Sequence, residues 1–342
     1  MPKKSPPWAE EEARVNPSAR FVVPLVEILI STAVLAQGEV VATKVTDDVL
    51  VVRGLVANMA VLRTDDGLVV VDSLISPLHA RRARAVIAEH FPHQSIRYLI
   101  NTHYHLDHNF GNQEFPEATV VAHAKNVERF GDTLDFAETA MRAPTELDRL
   151  LEEVTTTEDL GAQQFDQIRL WQKRLARYSG FQARTADVRL EGSAMLSLGG
   201  KDIQLLHLGP GHTDGDLVVF FEQDRVLVTG DLVFHRIVPV IDPDGGCDIE
   251  GWLAALAELS DLEGVLHVVP GHGEPGGREM LMEQSSYLHD LWQAVTSAHS
   301  EGLTVEEAAA TITLARYDSY ERLFNDVATN VEESWKILAR SE

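Results

Sequence analysis

The chain is almost without cysteine. Its 342 residues include a single one, Cys247, in the segment GGCD, so no disulfide can form within the chain. A zinc site made of cysteines alone is also excluded, which leaves histidine and carboxylate side chains as the available metal ligands. We interpret Cys247 as an ordinary buried or loop thiol.

Positive charge is scarce as well. The chain has 29 Lys and Arg residues against 53 Asp and Glu residues, which gives a formal net charge of −24. A nucleic-acid backbone recruits Lys and Arg, so a chain this acidic is not expected to bind one. An apolar run over 21–36 contains Pro24 and Glu27 and is short for a bilayer, so no stable membrane span is predicted.

The N-terminal segment 1–37 is interpreted as a possible signal peptide. Its apolar run follows a small excess of basic residues, and Val34 and Ala36 stand where a signal peptidase accepts small side chains before a mature start near Gln37. This interpretation predicts a periplasmic or secreted protein. The alternative is an ordinary N-terminal helix packed on the body, in which case the protein is expected to be cytoplasmic.

The rest of the chain divides into a strand-rich region over 38–275 and a helical extension over 276–342. With 44% hydrophobic residues, the chain is long enough to bury a sizeable core. Short β-branched runs between turn residues predict strands up to residue 123 and again from about 187, and apolar residues at helical spacing predict helices over 76–91 and 249–260. Similar segments at 67–74 and 225–232 hint at two related β halves.

Residues 124–186 interrupt the strands. This stretch is charged, has a helical period and contains no strand-like run, so we expect two or three helices inserted into the domain. Two interpretations stay open: a cap that only buries core, and a lid over a pocket.

The most informative stretch is NTHYHLDHNFGN at 101–112, with His103, His105, Asp107 and His108. On a helix, residues two apart point about 200° away from each other, whereas in an extended segment they share a face. The preceding RYLIN is strand-like, so both His103 and His105 can project from its end. Asp107 and His108 begin the next turn, and one loop therefore presents several ligands to two neighbouring points.

Three further candidates occur in the same setting, where a predicted strand runs into a glycine-containing turn. His212 lies in LGPGHTDGD, Asp231 in VLVTGD and His272 in VVPGHGE. One zinc ion takes three or four protein ligands. The set of candidates is therefore large enough for two metal ions if one carboxylate bridges them.

The other histidines of the 14 receive less specific interpretations. Surface positions in helices are expected for His79, His90, His93, His289 and His299. Packed positions, or positions behind the ligands, are expected for His123, His207, His235 and His267. Of these, His235 is the best candidate for a substrate contact because it follows Asp231 by four residues.

The motifs H-x-H-x-D-H, G-H-T-x-G-D, Gly-Asp at a strand end and P-G-H-G occur in this order over about residues 45–275. This combination resembles the metallo-β-lactamase-fold hydrolase superfamily. The resemblance implies an α/β fold, a four-layer αββα sandwich with a dinuclear site at one edge. The first 40 residues, the helical insertion and the C-terminal helices lie outside the shared motifs.

Matching positions imply roles for these residues. The first metal would be held by His103, His105 and His212, the second by Asp107, His108 and His272, and Asp231 would bridge them. Asp72 would support the site from behind, and Thr213 would bond Asp231 or a ligand histidine.

The best-known β-lactamase subclass has Cys at the position of Asp231 and lacks His108, so the set is more similar to the glyoxalase II and lactonase branches. It also resembles that of tRNA-processing nucleases, against which the acidic charge argues.

The resemblance implies a hydrolase with two zinc ions, iron or manganese being possible, that cleaves an ester, thioester, lactone or amide of a small molecule. A hydroxide held by the metals would attack the carbonyl, with Asp107 as the catalytic residue that orients it and moves a proton. β-Lactam hydrolysis, iron-dependent redox chemistry and a metal-stabilised binding module are the alternatives. His105 stands where oxygen-reducing iron branches carry Glu, which favours zinc. Neither the substrate nor the oligomeric state follows from the sequence.

Overall fold

The computed structural model describes residues 40–133, 145–150 and 162–340. The segment interpreted as a possible signal peptide lies outside the described residues, and its interpretation stays a prediction. The division into domains at residues 38 and 276 also stays a prediction. In the part of the chain that the structure describes, no helix is both long and apolar enough to cross a bilayer.

The first half of the chain forms a seven-stranded sheet in the order β1-β2-β3-β4-β5-β6-β7. Its strands are Val41–Lys44, Val49–Arg53, Asn58–Thr64, Gly67–Val71, Ile96–Ile100, Thr119–His123 and Val188–Leu190. The first four strands pair antiparallel, whereas β4, β5, β6 and β7 pair parallel to one another. The carboxyl ends of these parallel strands therefore meet at one edge of the sheet.

The second half forms a five-stranded sheet in the order β12-β11-β10-β9-β8. Its strands, from β8 to β12, are Ala194–Leu198, Lys201–Leu206, Val218–Phe221, Val226–Phe234 and His267–His272. Only β11 and β12 pair parallel within it. The two related β halves suggested by the sequence are thus two separate sheets.

The helices cover the outer faces and one end of the molecule. In chain order they are α1 (Pro77–His90), α2 (Leu106–Asn109), α3 (Ala124–Arg129), α4 (Ala162–Tyr178), α5 (Ile249–Asp261), α6 (Glu279–Ser300), α7 (Val305–Thr311) and α8 (Val327–Arg340). Residues 145–150 are also helical. Among the described residues, 3₁₀ helices lie at Asn112–Glu114, Phe130–Thr133 and Ala315–Tyr317. The described parts of 124–186 are helical up to Tyr178, as the sequence predicts, and residues 179–186 form a turn and an irregular segment.

Alternation along the strands sorts the apolar side chains into layers. In β2, Val49 and Val51 face a core shared with the second sheet, while Leu50 and Val52 face a core shared with α1. A third core joins the outer face of the second sheet to α5, α6 and α8. Two sheets packed face to face between helical layers confirm the predicted αββα sandwich.

One surface prediction is wrong. His79 is fully buried, and its Nδ1 lies 2.7 Å from the hydroxyl of Ser76, the residue that caps α1. Its position in the first turn of α1 turns it towards the sheet, where a histidine packs in place of an apolar residue. His90, His93 and His289 are exposed, and His299 is half-buried against Trp335.

Candidate metal centre

All candidate ligands meet at the edge where the two sheets present the carboxyl ends of their parallel strands. The loop after β5 carries His103 and His105, and the single turn of α2 carries Asp107 and His108. His212 comes from the loop after β9, Asp231 from β11 and His272 from the end of β12. The structure therefore brings together every candidate that the sequence indicated, in two groups.

The first group consists of three histidines and one aspartate: His103, His105, His212 and Asp231. His105 Nδ1 lies 3.1 Å from both His103 Nε2 and His212 Nε2. Oδ2 of Asp231 lies 3.6 Å from each of those two Nε2 atoms. The three imidazoles thus aim one nitrogen each at a common point.

The second group consists of Asp107, His108 and His272. The Nε2 atoms of its two histidines are 3.4 Å apart. Oδ2 of Asp107 lies 3.8 Å from Nε2 of His108 and 3.5 Å from Nε2 of His272. Asp231 reaches this group as well, because its Oδ1 is 3.2 Å from His108 Nε2 and its Oδ2 is 3.1 Å from His272 Nε2. One carboxylate therefore contacts both groups.

A fixed partner outside the cluster orients each of the five imidazoles. The outward nitrogen of His105 lies 2.8 Å from Asp242 Oδ2, and that of His108 lies 2.8 Å from Asp72 Oδ2. For two further histidines the partner is a backbone carbonyl: Val240 O lies 3.1 Å from Nδ1 of His212, and Val56 O lies 2.8 Å from Nδ1 of His272. His103 Nδ1 lies 3.0 Å from the hydroxyl oxygen of Thr102.

Asp72 takes the supporting place that the resemblance implies. It follows β4 with a left-handed backbone (φ 63), a conformation that is uncommon for residues other than glycine. Its carboxylate accepts hydrogen bonds from the Thr102 amide and hydroxyl at 2.8 Å each. Because the Thr102 proton is donated to Asp72, the hydroxyl oxygen is left to accept from His103 Nδ1.

Asp242 is a site residue that the sequence did not reveal. Besides holding His105, its Oδ2 accepts the Tyr104 hydroxyl at 2.5 Å, and its Oδ1 accepts the Gly245 amide at 2.9 Å. These bonds keep the pKa of this half-buried carboxyl well below its usual range, although burial acts in the opposite direction. It lies 137 residues from His105 in sequence, in the turn DPDGG, and no motif links the two.

The sequence suggested that Asp231 ends its strand. In the structure it lies inside the nine-residue β11. The pairing of β11 with β12 shifts register on both sides of Gly230, which has φ 52 and turns the strand so that Asp231 points into the site. A Cβ at Gly271 would fall 1.8 Å from Asp231 Oδ1. The glycine in the P-G-H-G motif is therefore required by the close approach of this carboxylate.

Burial and charge divide the cluster. Burial lowers the pKa of His212 to about 4 and the pKa of His103 well below its ordinary value. Burial also acts to lower the pKa of His108, but the nearby carboxylates, led by Asp231, raise it well above the ordinary range. In Asp231 the neighbouring histidines outweigh burial and hold the carboxyl pKa low. The protein alone thus places an anion between imidazoles.

The donor set fits divalent cations. Since the outward nitrogens of four of the histidines face acceptors that cannot donate, and the fifth faces a hydroxyl whose proton is already used, the inward nitrogens present lone pairs. Lone pairs within 4.8 Å of one another, next to carboxylate oxygens, are stabilised by a cation that takes nitrogen and oxygen ligands. Binding would displace any proton that the second group holds.

One prediction for a neighbouring residue is wrong. The Thr213 hydroxyl was expected to bond Asp231 or a ligand histidine, but it donates to Asp216 Oδ1 at 2.6 Å, and the Thr213 amide donates to Asp216 Oδ2 at 3.0 Å. The tight turn after His212 brings these two residues together. Sequence reasoning did not single out Asp216, whose carboxyl pKa burial raises to about 7.

The four histidines that the sequence placed in packed positions or behind the ligands lie outside both groups. Of these, His267 is half-buried at the first residue of β12, at the opposite end of that strand from His272. The rings of His123 and His207 are stacked with centroids 3.9 Å apart. His235 is half-buried, and its Nδ1 lies 2.7 Å from Glu274 O, just beyond His272. A substrate contact by His235 stays a prediction. Cys247 is a buried thiol, as interpreted.

A family model described as the metallo-beta-lactamase superfamily matches residues 52–272. The alpha subunit of 2,4-dinitroanisole O-demethylase from Nocardioides sp. is 27% identical over 212 residues, which are 61% of this chain and 50% of the relative. The type 2 metallo-beta-lactamase of Bacillus cereus is 23% identical over 233 residues, 68% of this chain and 73% of the relative. The chain thus spans about half the length of the demethylase subunit.

Two solved structures share the fold. The stereoselective inverting sec-alkylsulfatase from Pseudomonas sp. has a TM-score of 0.65 at 20% identity, covering 90% of this chain and 51% of that one. A metallo-beta-lactamase from Pontibacter korlensis has a TM-score of 0.53 at 18% identity, covering 73% and 99%. With the matched family model spanning both groups of ligands, the chain belongs to the metallo-beta-lactamase superfamily, whose members are mostly metal-dependent hydrolases.

Proposed function

We propose that the protein is a hydrolase with two zinc ions that cleaves a carbonyl bond in a small molecule: an ester, thioester, lactone or amide. The observation that carries this proposal is the position of Asp231, whose carboxylate lies within 3.6 Å of inward histidine nitrogens of both groups. Bound there, divalent ions would supply Lewis acidity and make water a nucleophile at neutral pH.

The side chains divide the remaining work. Imidazoles locked by their outward partners hold the cluster geometry and need no reorganisation during the reaction. Asp107 is the most exposed carboxylate of the two groups, with 13% of its side chain accessible against 3% for Asp231. It therefore faces the side from which substrate arrives, and its Oδ2 is positioned to take a proton from water and return it to the leaving group.

The charges around the cluster favour an uncharged substrate. Arg129, which bonds to the loop of Asp242, donates two bonds of 2.7 Å to Asp214 and one of 2.6 Å to Asp244 O. Arg53, near the His272 loop, is paired with Glu274. Both guanidinium groups are thus already neutralised by protein acceptors, and a carbonyl compound requires no cationic side chain.

The test is a hydrolysis screen of zinc-loaded protein on p-nitrophenyl esters, thioesters, lactones, a chromogenic β-lactam and phosphodiesters. We expect turnover of acyl substrates that is lost on chelation, restored by zinc and absent in His103→Ala. Metal analysis of the purified protein by mass spectrometry decides between zinc, iron and manganese. Full activity in a protein verified to contain no metal would exclude this proposal.

A second candidate is cleavage of an activated aryl ether. It is favoured by the similarity to the 2,4-dinitroanisole O-demethylase subunit, which extends over 212 residues. Adding 2,4-dinitroanisole to the screen separates the two, because release of dinitrophenol without ester hydrolysis would select the ether.

A further inference from the structure

An aromatic side chain from the C-terminal extension lies directly against the metal cluster. The ring of Phe324 meets the ring of His272 at 73°, with centroids 5.0 Å apart, yet 42% of Phe324 is exposed. On another side the His272 ring is stacked with the buried Phe234 at 4.9 Å. Phe324 therefore covers one edge of a ligand and keeps part of its own surface exposed.

The segment that carries Phe324 is fixed at both ends. Before it, the backbone of Glu321 exchanges bonds of 2.9 Å with Arg236 O and the Val238 amide. After it, the Asn325 side chain donates to Asn330 Oδ1 at 3.1 Å, and the buried Asn330 amide group donates to Pro239 O at 2.9 Å. An exposed aromatic ring held between two anchors is preorganised for contact, unlike a side chain on a fraying loop tip.

Exposed apolar residues flank this ring contact along the chain. Val56, whose carbonyl fixes His272, is preceded by Leu55, which is 45% exposed, and Phe324 is preceded by Leu323, which is 44% exposed. Exposed apolar side chains of this kind beside a reactive centre are suited to contact with hydrocarbon.

We propose that Phe324 forms the wall of an apolar subsite beside His272 that takes the hydrocarbon portion of an uncharged substrate. This assignment rests on the proposed hydrolase function. The subsite comes from a segment outside the residues that the family model matches, 52–272, so substrate selection is supplied by the C-terminal extension and the ligands by the sandwich.

The experiment compares kcat/KM of zinc-loaded wild type and Phe324→Ala on two series: p-nitrophenyl acetate, butyrate and octanoate, and ethyl, butyl and octyl acetate. Each methylene buried in an apolar pocket improves binding by about fourfold. We expect wild type to favour the longer chain in at least one series, Phe324→Ala to lose most of that preference, and Phe324→Leu to restore part of it.

The matched control is Leu266→Ala. Leu266 is 50% exposed and lies at the amino end of β12, about 20 Å along the strand from His272; its replacement should leave the chain-length preference of wild type unchanged. Thermal unfolding of all variants verifies that they are folded. A preference that is absent in wild type, or unchanged in Phe324→Ala, would overturn the subsite.

A measurement without turnover keeps the two proposals apart. Calorimetric titration with 1-octanol and 1-butanol measures the preference for the longer chain directly, and Phe324→Ala should abolish it. If wild type hydrolyses no ester but still prefers octanol through Phe324, the hydrolase proposal fails and the subsite stands. If esters are hydrolysed and Phe324 affects neither preference, the subsite fails and the hydrolase stands.

Discussion

At the scale of single residues, the site separates into candidate metal ligands and side chains that hold those ligands in place. Asp107 belongs to the first kind and Asp242 to the second. The first was evident from a short motif, because four potential ligands in six positions are hard to explain otherwise. The second was not, because its role depends on a contact between segments distant in sequence.

Replacing Asp107 by asparagine is expected to lower kcat at least about 100-fold, since the amide can neither take a proton from water nor return it. The fold should survive, because the side chain is partly exposed at the cluster edge. Steady-state kinetics and circular dichroism measure the two effects. Asp47→Asn, whose carboxylate is 94% exposed in the turn between β1 and β2, is the control and should retain wild-type kcat. Equal kcat in the two variants would contradict the role of Asp107.

Replacing Asp242 by asparagine should weaken zinc binding roughly 10- to 100-fold, because the carboxylate that orients His105 is lost. Competition with a chromophoric chelator measures the affinity. The control is Asp244→Asn, two residues away, whose side chain is 91% exposed and pairs only with Arg340 among its described contacts. If both variants bind zinc as tightly as wild type, Asp242 does not position His105.

At the scale of elements, the helical insertion is tied to the ligand loops. Arg129, at the end of α3, bridges Asp214 in the loop after His212 and the carbonyl of Asp244 in the loop that carries Asp242. The second helix of the insertion, α4, contacts the first ligand loop: its Tyr178 packs against Phe110, the residue that follows α2. These contacts support the site whichever of the two interpretations, cap or lid, applies to the insertion.

Arg129→Ala is expected to destabilise the protein by about 1 kcal/mol, since a bidentate pair that is about a quarter exposed is partly screened. It should also reduce zinc affinity, because the loop of Asp242 loses an anchor. Chemical denaturation and the same chelator competition measure both. Lys125→Ala removes a more exposed ion pair from the same helix and should change neither quantity by a comparable amount.

At the scale of the whole molecule, the site joins the two sheets. Asp72, His103 and His108 come from the first sheet, and Asp231 and His272 from the second, so a cation bound there would connect the two halves of the sandwich. Two unusual residues lie at this edge: Asp72 has a left-handed backbone, and Asp216 is a buried acid. The stability of the fold is therefore expected to depend on the protonation of this region.

Asp216 gives a pH dependence with a defined sign. Its pKa is raised from 3.8 to about 7 by burial, so the folded state binds a proton that the unfolded state has released. The stabilisation is complete below about pH 4 and is lost as the pH rises to about 7, by up to about 4 kcal/mol. Asn does not ionise, and its Oδ1 can accept the Thr213 amide while its Nδ2 donates to the Thr213 hydroxyl oxygen. In metal-free protein, Asp216→Asn should therefore become increasingly more stable than wild type over this interval.

Denaturant unfolding at several pH values measures that difference. A constant gap between wild type and Asp216→Asn from pH 4 to pH 8 would show that the carboxyl ionises normally in the fold. A gap that widens with pH would show that it is buried in the protonated form.

The sequence by itself determined the strands, the main helices, the sandwich and the identity of the clustered side chains. It could do so because alternation, turn residues and histidine spacing are local properties of the chain. It misplaced His79 and Thr213, because either side chain could face two ways and packing made the choice. It did not reveal Asp242, Asp216 or Phe324, because no local pattern distinguishes them from ordinary loop residues.

The tertiary structure alone decided which carboxylate contacts both ligand groups, which partner fixes each imidazole, and that the C-terminal extension places an aromatic ring against His272. These are contacts between segments tens to hundreds of residues apart, set by the packing of two sheets and their helices.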